Sequence, residues 1–203
     1  MTNIGEFLRP KTINRIYEGI PYASERNYTD LSLAGGETNP ESVEKILKYF
    51  TPRRHNFYDL GSGRGRVVIQ AAFSNRIKKV VGIEIVKERN DLALKALDRA
   101  RSNGIDIPRV DLQFINDSFF NIDFSDADVI YTVATAFDDK MMKELERRFM
   151  NLKESSVIIV VDKELDIKRF KLIATDKYKM DYSNGDVFVY EKRKETDALL
   201  INR

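Results

Sequence analysis

Cysteine is absent from the 203 residues, which removes disulfide scaffolds, thiolate metal sites and cysteine nucleophiles together. A single histidine, His55, leaves little for a zinc site or a Ser-His-Asp triad, so no metal is expected. Glycine and proline are scarce, 10 and 5 residues, too few breakers for a disordered or fibrous chain. An excess of one charge is missing too: 34 Lys and Arg oppose 32 Asp and Glu, for a net of +2. No global field would hold such a protein on nucleic acid or on an anionic membrane, and any contact of that kind must be local. No apolar run approaches the ~20 residues of a membrane span, and the start MTNIGEFLRPKT lacks the apolar segment of a signal peptide. The expectation is a soluble cytoplasmic protein. What is present is apolar material, 42% of residues, enough for a core. At about 150 residues per domain the length gives one domain with roughly fifty residues to spare.

Residues 1 to about 38 are weakly periodic and read as an N-terminal arm with a short helix around Thr12 to Tyr17. Asn39 then suits a helix N-cap and Pro40 the first helical position, and Val43, Ile46, Leu47 and Phe50 share one helical face. Pro52 and the Arg53-Arg54-His55 cluster end that helix, and Phe57 to Leu60 form a short strand running into glycines. From there the pattern alternates. Helices are predicted at Arg66 to Phe73, Lys87 to Asn103 and Asp139 to Met150; strands at Val80 to Ile85, Val110 to Ile115, Val129 to Val133 and Val157 to Val161. Such alternation marks an open, mostly parallel α/β sheet with helices on both faces. The stretch Asp117 to Asp126 is too short for a full helix. Near the C-terminus, Phe170 to Tyr182 and Val187 to Lys192 flank Ser183-Asn184-Gly185-Asp186, and Asn-Gly between apolar runs signals an antiparallel hairpin.

The chemistry concentrates where the first strand meets the first crossover helix, at Asp59-Leu60-Gly61-Ser62-Gly63-Arg64-Gly65. In an open α/β sheet that turn faces the ligand crevice, and glycines let the backbone approach a ligand. A dinucleotide fingerprint would need Gly or Ala where Arg66 stands. Asp59 would also repel a pyrophosphate, yet it would accept hydrogen bonds from an ammonium group. Glu84 follows 23 residues after Gly61, where doubly wound folds place a carboxylate on a ribose diol. Asp117, in Ile115-Asn116-Asp117-Ser118-Phe119, closes the third strand, where an acid and adjacent N–H groups suit an adenine edge and Phe119 its face. A nicotinamide-dependent oxidoreductase and a non-catalytic binding module stay open as alternatives.

Three acids after three successive strands, the first followed by G-x-G-x-G, resemble the S-adenosylmethionine site of class I methyltransferases. Gly36-Glu37-Thr38, FYDLGSGRGRVVIQAAF, VVGIE, the Asp117-Ser118-Phe119 turn, VIYTVATAF and LERRFMNLKESSVIIV together resemble the disruptor-of-telomeric-silencing (Dot1-like) lysine methyltransferases. The DLGSG-R run is also similar to that of small archaeal protein-lysine methyltransferases. The resemblance implies a seven-stranded sheet and S-adenosyl-L-methionine as cofactor. It implies that Glu37 and Thr38 close over the methionine end, that Asp59, Gly61, Ser62, Gly63 and Gly65 line the cofactor, that Glu84 holds the ribose, and that Asp117, Ser118 and Phe119 hold adenine. It divides the chain into an arm and cofactor lid (1–38), a methyltransferase domain (39–194) and a tail (195–203).

The acceptor side departs from the family. Val133-Ala134 stand where relatives have paired asparagines, and Arg66 replaces a glutamine. The expected reaction is methyl transfer to a protein lysine amine, with a small molecule or RNA as the alternative acceptor; no catalytic side chain is assigned. Tyr22, Tyr28, Tyr131 and Phe137 are candidates to wall a lysine channel. Arg53-Arg54, Arg147-Arg148 and Lys192-Arg193-Lys194 read as solvated faces rather than a DNA patch, and the near-neutral charge argues against nucleosomes.

Overall fold

A computed structural model describes residues 10–21, 36–51, 55–74, 76–107, 109–181 and 183–194. The expectations placed on Tyr22, Tyr28, Arg53-Arg54, most of the arm and the 195–203 tail lie outside these residues. The elements are α1 (Pro10–Tyr17), α2 (Pro40–Ile46) continued by a 3-10 turn (Leu47–Tyr49), β1 (His55–Leu60), α3 (Arg66–Ala72), β2 (Ile77–Ile83), α4 (Lys87–Ser102), β3 (Asp111–Ile115), β4 (Val129–Val133), α5 (Asp139–Phe149), β5 (Val157–Val161), β6 (Phe170–Lys179) and β7 (Asn184–Lys192). The seven strands form one sheet in the order β3-β2-β1-β4-β5-β7-β6. β1 to β5 run parallel, and β7 is antiparallel to both β5 and β6. The strand order reverses between β1 and β4, which opens a crevice at their C-terminal ends.

Side-chain alternation along the strands supplies both faces. Tyr58, Leu60, Val81, Ile83, Ile130, Ile158 and Val160 pack with Met142, Leu145 and Phe149 of α5. The opposite parity, including Phe57, Val80, Val129, Tyr131, Ile159 and Val161, packs with α2 and α3. α5 starts where Asp138 caps it, its carboxylate accepting the Met141 N–H at 2.7 Å, and its buried positions recur at helical spacing. In α4 the buried positions are mostly alanines, Ala93, Ala96 and Ala100, which lets α1 dock closely through Ile13 and Ile16. Between β3 and β4 residues 116–128 carry no helix, as their length predicts.

Two local expectations are corrected. Asn39 occupies the N-cap of α2, but its side chain makes no cap bond; its N–H donates to Lys179 O, tying the helix to β6. The hairpin reverses between Met180 and Ser183, not at Asn184-Gly185, which lie within β7 opposite Lys179 and Tyr178. Gly185 serves packing instead: a methyl group there would sit 2.5 Å from Val161 Cγ1, so its hydrogen lets β7 lie against β5.

Candidate functional site

Asp59 is the next-to-last residue of β1 and pairs with Gly82 on one side and Tyr131 on the other. It is 3% exposed, and no hydrogen-bond donor reaches its carboxylate among the described residues. Burial, and secondarily the nearby Glu84, push its pKa well above the usual carboxylate range. Beyond it the backbone folds back over β2, with the Gly61 and Ser62 N–H groups both donating to Ile83 O. The Ser62 hydroxyl is buried without a partner among the described residues.

Gly63 and Gly65 take left-handed conformations for opposite reasons. At Gly63, φ is +53° and open space lies beyond the missing side chain. At Gly65, φ is +76° and the backbone is pressed against Phe114 and Ala93 as it enters α3. The loop thus shows bare backbone to the crevice on one side and packs onto β3 and α4 on the other.

Glu84, also 3% exposed, holds this loop to the next turn. One carboxylate oxygen accepts the Gly63 N–H at 2.8 Å and the other the Val86 N–H at 2.9 Å. Asn116 joins the third strand end to the same turn, donating to the backbone oxygens of Glu84 and Ile85. Ile85 stands 55% exposed beside them, an apolar group the sequence reading passed over. Asp117 accepts from the Ser118 N–H and from Asn121 Nδ2, both on Oδ1, and the Ser118 hydroxyl accepts the Phe120 N–H. Phe119 packs edge-on against Phe120 and tilted against Phe137, and is 9% exposed.

Glu37 and Thr38 reach the same edge of the sheet. The Thr38 and Tyr131 hydroxyls are 2.5 Å apart, so the Tyr131 hydroxyl is engaged and its ring sits in the core rather than standing free as a channel wall. Glu37 forms a two-pronged ion pair with Arg64, 2.6 Å from Nε and 2.5 Å from Nη2. Arg64 escaped the sequence reading, where it counted only as a spacer between glycines. Arg148, expected on a solvated face, is instead half-buried: it donates to the Phe120 and Ile122 oxygens and lies over the Phe124 ring at 4.9 Å, fastening the loop that carries Asp117. Lys192, from another cluster read as solvated, likewise donates to the Met150 and Leu152 oxygens.

On the acceptor side Ala134 is buried, its N–H on Val161 O. The polar groups at this strand end come one residue later. The Thr135 hydroxyl donates to Asp162 Oδ2 at 2.5 Å, and Asp162 Oδ1 accepts the Asp186 N–H at 2.9 Å.

A sheet of this strand order, with a glycine loop and acids at successive strand ends, is the architecture of class I methyltransferases. The family model of the histone methylation protein DOT1 matches residues 22–201. The chain belongs to that family. DOT1 relatives include the H3 lysine-79-specific histone-lysine N-methyltransferase of Kluyveromyces lactis, 29% identical over 177 residues. That match takes in 82% of this chain and 29% of the yeast protein, so the chain spans about three-tenths of that relative's length. A protein-lysine N-methyltransferase of Saccharolobus islandicus is 32% identical over 134 residues, 66% of this chain and 76% of that protein. Among solved structures, an RNA methyltransferase from Salinibacter ruber in complex with S-adenosyl-L-homocysteine superposes with a TM-score of 0.56 at 26% identity. It covers 76% of this chain and 92% of its own. The chain thus has the family and the fold of S-adenosylmethionine-dependent methyltransferases. Among its described residues no helix is long and apolar enough to cross a membrane.

Proposed function

We propose that this DOT1-family protein transfers a methyl group to the side-chain amine of a lysine in a protein substrate. The observation that carries the acceptor is the match to a protein-lysine enzyme along three-quarters of that enzyme's own length. The Salinibacter neighbour supports RNA as the second acceptor.

The residues fit the cofactor. Asp59 is a buried carboxylate that no donor among the described residues reaches, and the ammonium of a methionine moiety is a donor of the right charge. Gly63 leaves open the space a side chain would fill. In this reading Asp59, Gly61, Ser62, Gly63 and Gly65 line the cofactor and Glu84 meets the ribose. Asp117 keeps Oδ2 for the adenine edge beside Ser118, and Glu37 and Thr38 bound the methionine end. Phe119 contributes less than the sequence suggests, because its ring already packs on two others; exposed Ile85 offers the base an apolar surface instead.

Bound there, S-adenosylmethionine supplies a methyl group already activated on a sulfonium, so direct displacement by an amine suffices. The protein's task is to orient the amine and exclude water. A lysine amine has an ordinary pKa of about 10.4 and must be neutral to attack. The apolar Val133-Ala134 end of β4 favours the neutral form by withholding solvent.

Incubation with methyl-labelled S-adenosylmethionine and separate pools of cell protein, total RNA and small metabolites tests the proposal. Label in protein, lost when lysines are blocked beforehand, is expected. Label confined to RNA or metabolites overturns it.

A further inference from the structure

Arg64 is 3% exposed, an unusual place for a guanidinium, whose burial is costly unless its donors are satisfied. Four donations are made to named acceptors. Nε and Nη2 take the two oxygens of Glu37, and Nη1 takes the carbonyls of Ile20 at 3.0 Å and Pro21 at 2.9 Å. Its own carbonyl accepts the Tyr17 hydroxyl at 2.8 Å. The Tyr17 ring lies 5.5 Å from this guanidinium and 4.5 Å from that of Arg66. Arg66 adds a second contact to Glu37 Oε2, at 3.2 Å, and donates to Asn14. The Glu37 backbone is fixed separately: its N–H donates to Asp181 Oδ1, and its carbonyl accepts the Asp181 N–H, both at 2.9 Å.

One side chain in the glycine loop therefore grips the chain both before and after residues 22–35, at Pro21 and at Glu37. Buried ion pairs contribute little net stability, but a planar fork on a carboxylate fixes its orientation in a way a lysine cannot. Among the described residues Glu37 Oε1 takes only the Arg64 Nε donor, which leaves it a lone pair for a ligand.

We propose that Arg64 is the positioning residue that holds the Glu37 carboxylate at the methionine end of the cofactor site, coupling α1 and the glycine loop to cofactor capture. This rests on the reading of Glu37 as a cofactor-binding residue. Arg64 acts through Glu37 and touches no reacting atom.

The test uses two ligands that differ only at the end in question. S-adenosylhomocysteine carries the amino-acid group, and 5′-methylthioadenosine lacks it. Calorimetric titration of the full chain is expected to show Arg64→Lys and Arg64→Gln weakening S-adenosylhomocysteine at least tenfold while leaving methylthioadenosine within twofold of wild type. The double variant Arg64→Gln/Glu37→Gln should bind no more weakly than Glu37→Gln alone, since both remove one arrangement. Melting curves accompany each variant, and Arg64→Lys keeps the buried charge should Arg64→Gln fail to fold. Equal losses for both ligands would mean a purely structural arginine and overturn the proposal, as would fully additive losses in the double variant. A Glu37→Gln protein that binds S-adenosylhomocysteine as wild type overturns the Glu37 reading itself. A weakened Glu37→Gln beside a normal Arg64→Gln overturns the role of Arg64 alone.

Discussion

A methyl group added at Gly63 and one added at Gly65 enter different surroundings, although both residues have positive φ. For an L-residue the left-handed conformation costs about 1–2 kcal/mol, and at Gly63 that is the whole structural cost, because no heavy atom of the described residues lies within 4 Å. At Gly65 the methyl would stand 2.5 Å from Phe114 Cε1 and Cζ and 2.9 Å from Ala93 Cβ, closer than real contacts allow. Overpacking of that kind adds about 1–3 kcal/mol, for a sum of roughly 2–5. In a chain of this size each kcal/mol lowers the melting temperature by about 2–4 °C. Gly65→Ala should therefore melt on the order of 10 °C below wild type, and Gly63→Ala only about 3–5 °C below it. Binding should rank the other way. The methyl of Gly63→Ala projects into the space assigned to the cofactor, and S-adenosylhomocysteine should bind at least tenfold more weakly, about 1.4 kcal/mol. Gly104→Ala is the matched control, with φ +68° and open surroundings at the end of α4, and should reproduce the stability loss without the binding loss. Thermal unfolding and calorimetric titration of the three proteins decide the matter. Wild-type affinity in Gly63→Ala would show that the open side of the loop is not the cofactor side.

Asp59→Asn should raise the stability of the ligand-free protein at neutral pH yet abolish cofactor binding, measured by melting with and without S-adenosylhomocysteine. The sign follows from its raised pKa: the folded state holds the Asp59 proton to higher pH than the unfolded chain, so wild-type stability falls as pH climbs from the ordinary carboxylate value through the raised one, a slope the variant should lack. Arg148→Ala frees the Phe120 and Ile122 carbonyls and should cost about 2 kcal/mol in chemical unfolding, with weaker cofactor binding, whereas a merely solvated Arg148 would change neither. With saturating cofactor, methyl transfer to a protein lysine should accelerate from about pH 7 to 9, because the attacking amine titrates near 10.4 in water; a flat profile would show that deprotonation does not limit the reaction.

The parts of this molecule that the sequence discloses are those built from neighbours in the chain. Phe57 to Leu60, the glycines after them and Glu84 at the end of β2 lie in one βαβ unit, where strand parity and helix spacing place each residue without knowledge of the rest. The misplaced hairpin turn shows where local signals stop. Asn184-Gly185 has the composition of a tight turn, but packing of β7 against Val161 claims Gly185 for a close approach and moves the reversal back to Met180 and Ser183. Arg64 and Arg148 fail for the complementary reason: their acceptors are 27–44 and 26–28 residues away, and an arginine's reach leaves no periodic trace.

The two sides of the crevice differ in the same respect. The side proposed for the cofactor hangs on backbone N–H groups at strand ends, and the fold fixes these wherever the glycines and acids stand. The acceptor side is assembled from the ends of β4, β5 and β7, three segments distant in sequence, and its polar groups answer to side-chain choice alone. At the end of β4 stand Val133 and a buried Ala134, while Thr135 is drawn onto Asp162, which the Asp186 N–H steadies from β7. This edge presents an apolar strand end and, beside it, a carboxylate already bound by a hydroxyl. In the proposed reading the glycine loop and the acids fix the reaction class, whereas the identity of the acceptor depends on the side chains at the ends of β4, β5 and β7.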